Sequence, residues 1–522
     1  MKKIFGEGIL GVFGSAYKFL VLPAANAFWR WGVQWPKQSL VDVVSGGVTT
    51  TAEYVKAALA GAWLVAVPAY LFAVYRRDEG AFILIIFFIA FAMFLHLNPF
   101  RRATGDGLVR GTQVQSSKTT KSSQDQLKIG NVVVPVEAET LHFLVAGSTG
   151  TGKSQCINSM LKTLRDRGDK VIVVDSGGEA MASLFRSGDK MLNPLDSRSE
   201  NWSVAAEMNQ AYESDRVSEM MIPASAGGSS REWELYSQTL VSAVIQRLFE
   251  RGELTNERLV YFLTIAKSTE IETLVSGLPA QTLMDAGAAK MLSSVRGIVG
   301  SYLPAYRFLN PATGADGFSI RKWVQSDEQS WLWMPYRDDQ LSSLRGLISC
   351  WLGEAVNSTL SLRPSQSRRL WIVCDELASL GRIAGLADGL TKGRKYGLRV
   401  VAGLQSVSQL RAVFGKEEST TLLSCLSNLV CLRAADAETA KYFSDGFGSQ
   451  EILRTDTSES SQGSSSSSVK HVTQAAIMPS EISGLPPLVG YVRLANQPDV
   501  VIATRIPICQ LGEQVIEPFV SK

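Results

Sequence analysis

The sequence predicts an α/β chain: a doubly wound domain with a parallel sheet, an all-α insertion within it, and a transmembrane helical hairpin ahead of it. Three observations carry this. An apolar strand, a glycine-rich loop and a helical pattern follow one another at 141–165. Further buried-strand runs recur as KVIVVD at 170–175 and LWIVCDE at 370–376. Two long apolar runs stand at 58–75 and 81–97.

The loop comes first because the rest is arranged around it. Leu141–Ser154 reads LHFLVAGSTGTGKS, and Gly147–Ser154 fit the G-x-x-x-x-G-K-[ST] pattern. Gly147, Gly150 and Gly152 permit backbone turns that a Cβ would forbid. With Ser148, Thr149 and Thr151 they offer main-chain N–H groups to phosphate oxygens. Lys153 supplies a point charge for the β- and γ-phosphates, and the Ser154 hydroxyl is placed to ligand Mg²⁺. The helix that follows, 155–165, adds its N-terminal dipole to the anion site. The chain binds a nucleoside triphosphate.

A length of 522 residues exceeds what one core fills, so several domains are expected. Against 52 basic residues stand 49 acidic ones, a net +3 that neither demands nor excludes a nucleic-acid partner. Six scattered cysteines without C-x-x-C spacing read as core residues of a reduced cytosolic domain. The three histidines form no H-E-x-x-H motif, which argues against a zinc protease.

Residues 1–57 are mixed. Within them 8–29 is apolar but broken by Lys18, Pro23 and Asn26, and reads as an interfacial helix or a poor span. The hairpin proper is 58–97, two apolar runs joined by Arg76-Arg77-Asp78-Glu79-Gly80. Lys2, Lys3, Arg101, Arg102 and Arg110 favour both ends in the cytoplasm, although Arg76 and Arg77 run against that rule. Residues 98–126 read as a linker, polar over 112–126. A strand is expected at 129–136, and helical patterns fill 200–312 with a flexible break at Gly227–Ser230. Strand character returns at 330–334, 370–374, 399–402 and 429–432. Thr457–Ser468, dominated by serine, reads as a mobile loop, and a last β-rich portion spans 490–494 and 500–506. The nucleotide domain is therefore expected at 127–199 and 313–522.

A phosphate loop alone means binding. LWIVCDE supplies the acids that hydrolysis needs: Asp375 to hold the Mg²⁺ shell and Glu376 to orient and deprotonate water. Gln405 ends the strand of RVVAGLQS, where an amide can sense the γ-phosphate. Lys392, Arg394, Lys395 and Arg399 form a basic cluster whose default reading is a solvated face. Lying between the Asp375-Glu376 strand and the Gln405 strand, it can also offer an arginine to a neighbouring subunit's γ-phosphate.

Taken together, GSTGTGKS at 147–154, NPLDSRSENWS at 193–203, RRLWIVCDELASL at 368–380, LTKGRKYGLRVVAGLQS at 390–406 and MPSEISGLPPLVGYV at 478–492 resemble the type IV secretion coupling proteins of the TrwB/TraD group. The resemblance covers nearly all of the chain after the hairpin. It implies a RecA-like nucleotide domain, an all-α domain facing the cytoplasm, and homo-hexamers around a channel in the bacterial inner membrane. It also implies an ATPase that uses ATP and Mg²⁺, recruits a relaxase–DNA complex with its accessory relaxosome protein, and passes DNA to the inner-membrane components of a secretion channel during conjugation. By position, Lys153 and Ser154 are then the phosphate and Mg²⁺ residues, Asp375 and Glu376 the paired acids, Gln405 a sensor and Arg394 an arginine finger. Leu141 stands where relatives can carry a second finger, and the connector 76–80 is shorter than the family's periplasmic segment.

The runner-up is an FtsK-like double-stranded DNA translocase. Such proteins carry more spans and a C-terminal winged domain, for which little sequence follows Ile506. A transporter ATPase would need an LSGGQ-like signature, which the sequence lacks. A nucleotide-binding scaffold without turnover would not need Glu376 or Arg394.

Overall fold

A computed structural model describes residues 107–116, 126–225, 227–459 and 465–522. The apolar runs 58–75 and 81–97, and the segment 8–29, lie outside the described residues. Among the described residues no helix is long and apolar enough to cross a membrane.

Ten strands build the main sheet. In chain order they are β1 (Gln113–Ser116), β2 (Phe143–Ala146), β3 (Lys170–Ser176), β4 (Lys190–Met191), β5 (Leu332–Tyr336), β6 (Leu370–Cys374), β7 (Leu398–Leu404), β8 (Asn428–Cys431), β9 (Val489–Arg493) and β10 (Val500–Arg505). Across the sheet the order is β1-β10-β9-β8-β2-β7-β6-β3-β5-β4. From β8 to β4 all pairings are parallel. β9 runs antiparallel to β8 and β10 to β9, so the last β-rich portion extends the same sheet.

The parallel strands are apolar on both faces because both faces are covered. Leu144, Ala146, Ile172, Val174, Ile372 and Cys374 enter one core cluster. Their neighbours Phe143, Val145, Val171, Val173, Trp371 and Val373 enter the other. This period of two is the pleat itself. Helix α1 (Lys153–Arg167) leaves the glycine-rich loop directly and stops at Gly168, whose φ of 76° is open to glycine but strained for other residues.

Between Ala205 and Gln325 the described residues form helices and turns, and an isolated bridge from Trp202 to Phe318 closes the segment's ends. Glu207 fixes that closure, accepting from Trp202 Nε1 (2.7 Å), Ile320 N (2.7 Å) and Arg321 N (3.0 Å). The long helix α2 (Ser229–Glu250) puts Leu240, Val244 and Leu248 into the same cluster as Leu144, so its core is continuous with one face of the sheet. Gly228, expected within a flexible break, instead caps the start of α2.

Three further expectations change. Residues 129–136 are not one strand: Gly130, at φ 58°, turns the chain between Lys128–Ile129 and Val132–Val133, and Pro135 then starts a short helix. The polar linker begins later than composition suggests, because β1 pairs with β10 over Val500–Ala503. The serine-rich stretch 457–468 is not a loop at its described ends. Ser449–Glu459 and Ser465–Ala475 are strands that form a three-stranded sheet with Gly107–Gly111. Main-chain pairing holds these strands, and serine composition is silent about it.

Candidate nucleotide site

The carboxyl edge of the parallel run brings the sequence-assigned residues together. Gly147 donates its N–H to Leu404 O (3.1 Å) and Ser148 its N–H to Arg433 O (2.9 Å), which ties the loop to the ends of both strands flanking β2. Within the loop Thr151 Oγ1 donates to Ser148 O (2.7 Å), and Ser148 Oγ accepts from Ala435 N (2.9 Å). Gly150 and Gly152 take φ of 76° and 105°. A Cβ on Gly152 would lie 2.6 Å from Leu488 Cδ2, whereas Gly150 has open space around it. Thr149 is exposed beside them.

Lys153 is 9% exposed. Its Nζ donates to Glu376 Oε2 (2.8 Å) and Asp375 O (2.8 Å), and stands 3.7 Å from Asp375 Oδ1. Ser154 Oγ donates to Asp375 Oδ2 (2.9 Å). One strand, β7, separates the loop strand β2 from the acid strand β6. The α1 side chains must therefore cross it, and Lys153 has the length to do so. Burial holds the Glu376 carboxyl above its ordinary pKa, while the Lys153 charge pulls against that. Asp175, at the end of β3, is pushed up to about 7 by burial, with the Asp375 charge adding to the rise against the Met181 N–H bond that opposes it.

Asp375 Oδ1 is buried without a hydrogen-bond partner. That spare lone pair beside the Ser154 hydroxyl is a hard-oxygen set that fits Mg²⁺, an ion that takes its remaining ligands from phosphate and water.

Gln405 and Arg394 lie beyond opposite ends of β7. At Gln405 it is the main-chain N–H that faces Glu376 Oε1 (3.4 Å); the residue itself is exposed. Arg394 sits in the turn Gly393–Tyr396 immediately before β7, at the amino edge of the sheet. A seven-residue strand, ~23 Å long, separates it from the nucleotide edge. Arg394 is therefore remote from this chain's own nucleotide edge; it is exposed and makes no ion pair among the described residues. Arg399, grouped with it in sequence, is not on a solvated face at all: it is 1% exposed and paired with Glu139.

Sequence reasoning missed two supports. A Cβ on Gly403 would fall 1.9 Å from Asp375 O, so β7 needs glycine there for the acid strand to close against it. A glycine inside an apolar strand was the available signal. Leu488, at φ 62°, donates its N–H to Thr151 O (2.8 Å) and roofs Gly152. No local pattern announced it.

A family model described as the type IV secretion-system coupling protein DNA-binding domain matches residues 126–505. The chain belongs to the type IV secretion-system coupling protein family. Among curated relatives, coupling protein TraD of Escherichia coli (strain K12) is 28% identical over 382 residues, 70% of this chain and 53% of that protein. The chain thus spans about half the length of that relative. The coupling protein VirD4 of Bartonella quintana (strain Toulouse) is 30% identical over 134 residues, 25% of this chain and 21% of that protein. The solved structure of the bacterial conjugative coupling protein TrwBdeltaN70, unbound, superposes with a TM-score of 0.73 at 34% identity, covering 80% of this chain and 97% of that one. TrwB in complex with ADP and Mg²⁺ gives 0.72 at 34% identity, covering 80% and 98%. The RecA-like α/β fold implied by the resemblance is the one shared with these structures.

Proposed function

We propose that the chain is a membrane-anchored ATPase that couples a relaxase–DNA complex, with its accessory relaxosome protein, to the inner-membrane components of a type IV secretion channel and drives DNA transfer in conjugation. The observation that carries the ATPase part of this reading is the meeting at one sheet edge of Lys153, bonded to Glu376 and to the Asp375 main chain, and Ser154, bonded to the Asp375 carboxylate. The relatives' names and the TrwB complex with ADP and Mg²⁺ support it.

The loop N–H groups hold the phosphates of ATP, and Lys153 places its charge between the β- and γ-phosphates. To do so it exchanges its bond to Glu376 for one to phosphate. Ser154 and Asp375 would hold Mg²⁺, which neutralises charge developing on the phosphate oxygens. Glu376, freed from Lys153 and made more basic by burial, orients the attacking water and takes its proton. Arg394 acts on a neighbouring subunit's nucleotide within a homo-hexamer, because its own site lies a strand's length away. The apolar runs at 58–75 and 81–97 anchor the assembly in the inner membrane as a hairpin.

The test uses the full chain in detergent or membrane vesicles with ATP, Mg²⁺ and DNA. Phosphate release rises with DNA, and Lys153→Ala abolishes both hydrolysis and plasmid transfer while membrane insertion persists. Normal transfer from that variant would overturn the ATPase reading. Mixing Arg394→Ala subunits with Lys153→Ala subunits restores part of the turnover, since some interfaces pair an intact loop with an intact finger. No recovery in demonstrated mixed assemblies would remove the trans role of Arg394.

A further inference from the structure

His142 is the residue immediately before β2, and nothing in the nucleotide chemistry uses it. It is 1% exposed and holds a backbone φ of 53°, a conformation that costs a histidine energy. Its ring is fully committed. Val400 N–H donates to Nδ1 (3.1 Å), so the ring proton resides on Nε2, which donates to Leu390 O (3.0 Å). Burial, together with the nearby Arg399 charge, lowers its pKa to about 4 against the opposing Leu390 bond, which keeps this single neutral tautomer.

The two groups it grips bracket the Arg394 turn. Leu390 belongs to the helix Leu386–Lys392 that leads into Gly393–Tyr396, and Val400 belongs to β7, which follows it. On the far side of the turn Arg399 Nη1 donates to Gly397 O (2.9 Å) and Arg368 O (2.8 Å), while its Nε is held by buried Glu139 (3.1 Å). β2 itself pairs with β7 from Phe143↔Val401 to Ala146↔Leu404 and ends in the phosphate loop. One strand therefore carries the loop at its carboxyl end and, through His142, the arginine turn at its amino end.

We infer that His142 is a positioning residue for Arg394, locking the turn that serves the neighbouring subunit to the strand that bears this subunit's own phosphate loop. The inference rests on the trans reading of Arg394. A filled loop in one subunit then bears, through a rigid strand pair, on the turn presented to the next.

The experiment uses full-length His142→Asn and His142→Gly, both of which tolerate positive φ but cannot span from Leu390 O to Val400 N. Binding of a non-hydrolysable ATP analogue is expected to be unchanged, with KM for ATP retained. Turnover falls on the order of tenfold or more, short of the ~10³ that follows loss of a finger itself. Mixing either variant with Lys153→Ala subunits restores turnover as Arg394→Ala subunits do, and adding His142→Asn to Arg394→Ala costs nothing further. Loss of analogue binding would overturn the inference by placing His142 in service of its own loop. So would losses that multiply in the double variant, or a mixture in which Arg394→Ala recovers and His142→Asn does not. If the Arg394→Ala mixture itself fails to recover, the trans reading falls and this inference with it.

Discussion

Lys153 illustrates how a single side chain sets the state of its neighbours. Bonded to Glu376 Oε2 at 2.8 Å, it stabilises a carboxylate that burial would otherwise protonate more readily. Removing the lysine therefore alters Glu376 as well as the phosphate contact, and Lys153→Ala cannot separate binding from catalysis. Glu376→Gln can. An amide of the same shape keeps one oxygen to accept from Lys153, gives up the acceptor that faces Gln405 N–H, and cannot take a proton from water. Nucleotide affinity is expected to hold while phosphate release drops by about 10²–10⁴. Equilibrium binding of a fluorescent ATP analogue beside single-turnover hydrolysis checks this, and a joint loss of both would make Glu376 a structural residue.

At the scale of the elements, the site depends on β7 fitting between β2 and β6. Gly403 makes that fit possible, since a methyl there would meet Asp375 O at 1.9 Å. Gly403→Ala is expected to cost about 1–3 kcal/mol or more by overpacking, and to displace both acids. Denaturant unfolding and turnover should fall together; native stability with native turnover would show that β6 shifts freely. The buried strands at 143–146, 170–176, 332–336, 370–374, 398–404 and 428–431 were legible because four to seven apolar residues bounded by polar ones leave little else to predict. The loop was legible from spacing alone. Their arrangement was not. That Arg394 stands at the opposite edge from Gln405 follows from strand direction, and that Arg399 is interior follows from Glu139, 260 residues earlier in the chain. Strands at 449–459 and 465–475 were hidden for a related reason: their stabilising bonds belong to the main chain, while the composition advertised serine.

For the molecule as a whole, charge decides how DNA can be held. With 52 basic and 49 acidic residues the net field is weak, so contact with DNA has to come from local clusters assembled by the fold and by oligomerisation rather than from bulk attraction. Clusters of that kind neutralise phosphates and release counterions without reading bases. The proposed role in DNA transfer would also require this, because tight sequence-specific contacts would stall each step. Binding of full-length chain to unrelated DNA sequences is expected to agree within a small factor at fixed salt. If an assembly engages six to ten phosphates, affinity should drop by about 10³–10⁵ between 50 and 200 mM salt. The measurement is a titration of labelled DNAs across that salt range, with non-hydrolysable nucleotide present to hold the loop filled. A footprint confined to one sequence and insensitive to salt would mean that the fold holds a base-reading element that the sequence does not announce, and that the chain selects its DNA directly.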